Sequence, residues 1–381
     1  MRTTVRAATT LALLATCLPA MAMAATATLT RAWQYKTDAT AGLAIRNLIG
    51  DIRVERGTDA GFHITATATI EAGTQGEADT LAHAIDYRTR DIGAGSRFDV
   101  AFPKEQFPKI YYARGPGGWW SAMYVEYLGH RIRLTGDPDE APKVRVDLLI
   151  RAPAGAKLDV SNVFGESVAQ GYSGELRLDG SSGALRSMGG EGRLLLDNGS
   201  GDVEVTGHNG RVSADTGSGS VTINDCSCEI DADTGSGSVV VRGGSGVLRA
   251  DTGSGKVSVE GFSGAIAADT GSGSVRARGV SNVTELDVDT GSGGVSVDGD
   301  LTAMKRLHVD TGSGSVRLES AGAPSMEIVI DTGSGHVNVN APGATVKESK
   351  DGSWTVKLHD GSGSGIIDTG SGGVDIVVAA D

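Results

Sequence analysis

The sequence predicts an all-β fold: a two-sheet parallel β-solenoid with about 18–21 residues and two strands per coil, behind an irregular N-terminal region. Three observations lead there. A pentapeptide recurs at almost constant spacing, aliphatic residues sit two apart on either side of it, and glycine, 57 of 381 residues, is at about twice its ordinary share of roughly 7%.

The pentapeptide is Asp-Thr-Gly-Ser-Gly. Its eight copies begin at Asp215, Asp233, Asp251, Asp269, Asp289, Asp310, Asp331 and Asp368. A ninth, beginning at Asp197, differs by one residue, and a worn form begins at Asp179. The step is 18 residues from Asp179 to Asp269 and then 20, 21 and 21; the last gap, of 37, holds a degenerate copy around Asp351-Gly352. Self-similarity at a fixed period near 20 marks stacked repeats.

The aliphatic residues give each repeat its geometry. Val212, Ala214, Val221 and Ile223 surround Asp215, and Ile328, Ile330, Val337 and Val339 surround Asp331. A step of two puts both side chains on one face of a strand, so one repeat is strand, turn, strand, turn. Asp is expected to open one turn, with its glycines supplying the positive φ of a tight corner and its Thr and Ser adding hydrogen bonds between coils. A three-sided hexapeptide helix would need aliphatics at 218 and 224, where Ser218 and Asn224 stand.

The same spacing occurs once near the start, in Leu43, Ile45, Ile52 and Val54, and resumes at Leu158 and Val160. Between them, Glu77 to Ile85 predicts a short helix, and residues 86–150 predict irregular strands. Seven aromatics crowd into 107–127: Phe107, Tyr111, Tyr112, Trp119, Trp120, Tyr124 and Tyr127.

The chain opens like an export signal. Arg2 and Arg6 precede an apolar run from Ala7 to Pro19, and Ala22-Met23-Ala24 is a small-residue cleavage site. Cys17 in Leu14-Ala15-Thr16-Cys17 loosely resembles a lipobox, but Thr16 is bulkier than the residue usual there. The resulting division is 1–24 signal peptide, 25–150 an N-terminal region with one rung and an aromatic-rich insertion or cap, and 151–381 the repeat domain. Removing the signal moves the formal charge from −13 to −15. Such acidity speaks against nucleic acid as a partner. No stretch is apolar for the roughly 18 residues that a spanning helix requires. The expected location is periplasmic, cell-surface or secreted.

With these features the chain resembles a family of bacterial envelope proteins grouped as adhesins within a domain of unknown function. The resemblance rests on the signal peptide, the Gly50 to Val54 strand, the Pro153-Ala154-Gly155 step and the Gly-x-Val-x-Val rungs that follow. It covers about residues 40–381 and implies a fold more than an activity.

Val329 to Val337 reads like an aspartic protease loop, yet a protease needs one pair of carboxylates in one cleft. Eight copies at solenoid spacing instead place every Asp at one corner of successive coils. Strands about 4.8 Å apart then stack like charges, to be relieved by amide hydrogen bonds from the turn, by partial protonation or by bound cations, of which amide bonding is the expected one. In calcium β-rolls the ligand Asp follows the glycines by two; Val221 stands there after Gly219. Gly253 to Lys256 lacks the flanking residues of a phosphate loop. Cys226 and Cys228 form a small disulfide or stay thiols, with no nearby His evident. The seven His show no ligand spacing. No catalytic, metal or cofactor site is therefore assigned. The contact candidates are Tyr111, Tyr112, Trp119, Trp120 and Tyr124, as a partner or carbohydrate surface, or else as a cap on the first coil.

The expected function is a non-enzymatic exported envelope protein, a β-solenoid scaffold or adhesion-like module. The alternatives are a polysaccharide-binding or polysaccharide-active β-helix protein and a self-assembling structural polymer. Val374 to Val378 shows no obvious cap, so end-to-end self-association is a further expectation.

Overall fold

The computed structural model describes residues 8–10, 24–35, 42–93, 95–112, 123–350 and 352–379. Most of the signal-like segment, Cys17, Trp119 and Trp120 lie outside them. The chain divides into two compact units, residues 1–183 and 184–381.

In the second unit each coil has a long and a short strand, such as Asn209–Thr216 and Val221–Asn224. Successive coils pair in parallel, Val212 with Ile230, Val221 with Val239 and Asp215 with Asp233, with a register shift between Ala277 and Val280 where Val275–Val280 meets Val295–Gly299. The aliphatic positions read from the sequence are the core, with Val212, Val221, Ile223, Ile230, Val239 and Val241 fully buried. Two facing parallel sheets share that thin aliphatic interior. The coils longer than 18 residues take their additions at the second corner, where Val283, Leu301 and Met304 turn inward. Phe262 and the Cys226–Cys228 disulfide, both buried, occupy that corner in shorter coils.

The stacking order departs from the chain order. Arg306–Thr311 pairs with Gly363–Thr369, which in turn pairs with Met326–Asp331. Val374–Val378 likewise lies between Val316–Ser320 and Val337–Asn340. The coil made last in sequence is therefore inserted beneath the one that precedes it. This corrects the expectation of an uncapped end at Val374 to Val378, since that strand is paired on both edges. The segment around Gly352 is not a worn coil either. Thr345–Glu348 and Trp354–Leu358 form an antiparallel hairpin, and the second strand pairs antiparallel to Met326–Asp331.

The first unit starts from the early rung. Gly42–Ile49 and Ile52–Arg56 pair in parallel with Ala156–Phe164 and Ser167–Gln170, bringing Leu43 to Leu158 and Val54 to Ala169. The chain between them leaves the stack and returns to it. Lys143–Ala152 runs parallel to Ile52–Arg56 and antiparallel to Phe62–Ala72, which pairs antiparallel with Ala25–Tyr35. On the other sheet Gly95–Ala101 adds in parallel and Asp86–Asp91 antiparallel. Antiparallel strands thus close an edge that a bare coil would leave open. The helix is Gln75–Ala84; Thr74 caps it by accepting from the Glu77 amide, and Ala78, Leu81 and Ala82 are its buried face.

Candidate functional site

Two features stand out from the scaffold: the repeated corner and an aromatic groove in the first unit. At the corner, Asp and Thr both end the long strand instead of opening the turn, as in Ser245–Thr252. Asp251 points outward and Thr252 is fully buried. The hydroxyl of Thr252 donates to the carbonyl of Gly237 in the preceding coil at 2.8 Å and accepts from the amide of Gly255 at 3.0 Å. Thr216, Thr234, Thr270, Thr290 and Thr311 repeat both bonds. Each buried hydroxyl is therefore satisfied, and each ties one coil to the next.

The glycines serve close approach more than left-handed φ. Among the glycines of the eight pentapeptides, only Gly333 has positive φ. A Cβ on Gly255 would lie 1.7 Å from the Gly237 carbonyl oxygen, and one on Gly237 1.9 Å from that of Gly219. Positive φ occurs instead at the second corner, for example at Gly207, Gly243 and Gly261.

The expected amide bonds to the aspartates occur at Asp331, which accepts from Gly333 at 3.1 Å. At the interior copies Thr holds the turn, and Asp215, Asp233, Asp251 and Asp269 face solvent as an in-register column. Their carboxyls are raised above the ordinary Asp value, first by partial desolvation at the corner and then by neighbouring carboxylates. Asp289 behaves likewise, with His308 opposing the shift. The column holds protons more firmly than free aspartates do.

Cys226 and Cys228 are joined in a disulfide. His208 precedes them by one coil, its carbonyl accepting from the Ser227 amide at 3.1 Å, so a histidine that sequence spacing hid is a stacking neighbour. It is buried, which lowers its pKa, and its Nε2 lies 3.1 Å from the Gly192 carbonyl.

The aromatic segment separates into structural and surface residues. Phe107 and Tyr127 are buried, and the Tyr127 hydroxyl lies 2.9 and 2.8 Å from the carbonyls of Arg46 and Val100. Tyr111 ends the strand Lys109–Tyr111 and pairs opposite both Thr135 and Lys143. Tyr112 follows, anchored by its amide to the Thr135 carbonyl at 2.9 Å, and its ring lies 4.4 Å from that of Phe164. Tyr124 is 55% exposed beneath the Arg131 guanidinium, 4.1 Å from the ring centre.

Tyr111, Tyr112 and Phe164 line a groove of 280 Å³ with Lys143, Arg145, Asp51 and Gly50, Gly165 and Gly183. The glycines have φ of +132°, +127° and +122°, and a Cβ on Gly165 would lie 2.0 Å from the Gly50 carbonyl. They leave a floor of bare backbone beside an aromatic wall. Arg145 bonds Asp147 at 2.7 Å and Asp51 at 2.6 Å, so the charges on this rim are paired. Tyr124 does not line the groove. Phe164 and the glycine floor were absent from the sequence candidates, although Ile49-Gly50, Phe164-Gly165 and Ser182-Gly183 repeat an apolar-or-small residue before Gly at equivalent corners.

Geometry defines the class: a two-sheet parallel β-solenoid whose coils are fastened by a buried threonine ladder. Residues 246–379 match the model of the family Toastrack DUF4097, a family of unknown function, in agreement with the resemblance read from the rungs. A crystal structure of a protein provisionally described as a cell adhesion protein, from Clostridium sporogenes, is similar at 8% identity. The alignment covers 92% of this chain and 100% of that one with a TM-score of 0.14, too low to bear on the fold. No curated protein matches.

Proposed function

We propose that this chain is a non-enzymatic, exported envelope protein, a β-solenoid that acts as an adhesion-like interaction module. Its recognition surface is the groove lined by Tyr111 and Tyr112 over the buried Phe164 ring; Trp119, Trp120 and, away from the groove, Tyr124 are further candidate contacts. The carrying observation is the groove's composition: two partly exposed tyrosines backed by the buried Phe164 ring, beside glycine backbone with paired charges at the rim. Aromatic faces stack on the apolar faces of sugars, while carbonyls and rim groups meet hydroxyls. The proposed ligand is therefore a surface carbohydrate. The export-type start and the family match over the C-terminal coils support an envelope setting.

Glycan-array binding by the full chain, by Tyr112→Ala and by the Trp119→Ala/Trp120→Ala pair tests this reading. The expected result is selective binding that both variants lose with Tm unchanged. Loss of Tm in both without any glycan bound by the parent would make the aromatics a cap and overturn the proposal.

A further inference from the structure

The exchanged coil leaves one strand of unusual status at the end of the second unit. Val337–Asn340 pairs along one edge with Val374–Val378, and among the described residues nothing pairs along the other. The adjoining sheet ends differently, on the hairpin strand Thr345–Glu348, whose exposed Lys347 and Glu348 guard its edge. Charge on an edge strand is a standard defence against unwanted pairing. Val337–Asn340 has no charge and no bulge, and its valines are only half-buried. In the stacked coils beneath, the equivalent Val316, Val374 and Ile376 are buried.

The direction of the free backbone groups follows from one bond. The Val374 amide donates to the His336 carbonyl at 2.8 Å, so residues 336, 338 and 340 face the paired strand. Alternation then turns the amides and carbonyls of Val337 and Val339 outward. An antiparallel copy of the same strand, related by a two-fold axis midway between the two Asn338 residues, sets Val337 opposite Val339 of the second copy. That register joins valine to valine on the inner face and Asn338 to Asn338 on the outer one. It also makes each Val337–Val339 pair a hydrogen-bonded pair, so all four outward groups of each strand find partners. A register shifted by one residue would set valines against asparagines and meet neither condition.

We infer that Val337–Asn340 is a self-pairing edge, and that a second copy of this chain docks on it antiparallel to form a two-fold dimer. This interface is independent of the aromatic groove and the ligand reading attached to it.

Sedimentation velocity over a concentration series of the full chain is the direct test. The parent chain should pass from monomer to dimer, and Val339→Lys should remain monomeric at the same concentrations. A second variant guards against misfolding of the first. Asn338→Cys places two thiols at the central non-hydrogen-bonded pair, with Cα atoms about 4.5 Å apart, within disulfide range. It should give a covalent dimer on mild oxidation, in excess of the parent chain and of Asn340→Cys. A monomeric mass at every concentration, or a dimer that survives Val339→Lys without the 338 cross-link, would overturn the inference.

Discussion

Asp251 and Thr252 are adjacent in the chain, yet they stand on opposite sides of one corner and answer to different forces. The threonine column is sealed from water, with each hydroxyl donating to one coil and accepting from its own. The aspartate column a residue away faces solvent, and its proton affinity is raised first by partial desolvation at the corner and then by the neighbouring carboxylates. Repetition acts on the two columns with opposite sign. Stacking identical hydroxyls satisfies donors and acceptors in series, whereas stacking identical carboxylates accumulates repulsion that water must screen. A single repeating pentapeptide therefore holds both a fastening and a tension.

The strongest way to break the fastening is through the glycine beneath it. Gly255→Ala sets a methyl carbon where the Gly237 carbonyl oxygen already lies, 1.7 Å away. We expect a loss of about 3 kcal/mol or more, read by chemical denaturation. Ser254→Ala, exposed in the same turn, should change stability by no more than about 0.5 kcal/mol. Equal effects would mean that the close approach is not what selects glycine.

Thr252→Val keeps the shape and removes the hydroxyl, leaving the Gly237 carbonyl and the Gly255 amide without this partner. The expected cost is about 2–3 kcal/mol, with Thr252→Ser costing about 1 kcal/mol because only a buried methyl is lost. If valine and serine were tolerated alike, the ladder would be a packing column and not a hydrogen-bonding one.

The smallest effect belongs to the aspartates, and it has the opposite sign. Two unit charges one strand spacing apart repel by about 0.9 kcal/mol in water, and salt weakens this. Asp251→Asn should accordingly stabilise the protein at pH 7 by about 1 kcal/mol. The raised carboxyl means that the folded state binds its proton more tightly than the unfolded state does. This group's penalty is thus full above the raised folded value and is relieved as pH falls through it towards the unfolded value. The advantage of the Asp251→Asn variant over the parent should fade over that acidic window. A stabilisation that stays constant from neutral pH down into that window, measured by thermal melts, would mean the charge is not the cause.

Much of the coil was legible because a strand's side chains alternate with period two and the coil length is nearly constant. Val212, Ala214, Val221 and Ile223 needed no tertiary information to be placed inside. The aromatic groove was half legible. Tyr111 and Tyr112 drew notice as part of a crowded segment, but Phe164 lies 52 residues beyond Tyr112 and meets it only because the chain returns to the early rung. His208 and Cys226 were overlooked as neighbours for the same reason, an 18-residue separation that stacking abolishes. The role of Asp was misplaced because Asp favours turns, and only the strand's length shows that it ends the strand and faces outward; the bonds between coils expected of Thr are those the buried hydroxyls make.

By itself the sequence determined the period, the two inward faces and the register, because each is a local alternation repeated until no other alignment buries the same aliphatics. The tertiary structure alone decided the order of the last coils. Met326–Asp331 and Gly363–Thr369 both offer an apolar alternation that ends at the corner Asp, so either could follow Arg306–Thr311 on local grounds. The choice was settled by long-range pairing: the hairpin of Thr345–Glu348 and Trp354–Leu358 bonds the outer edge of Met326–Asp331 and holds that coil outside the one made after it.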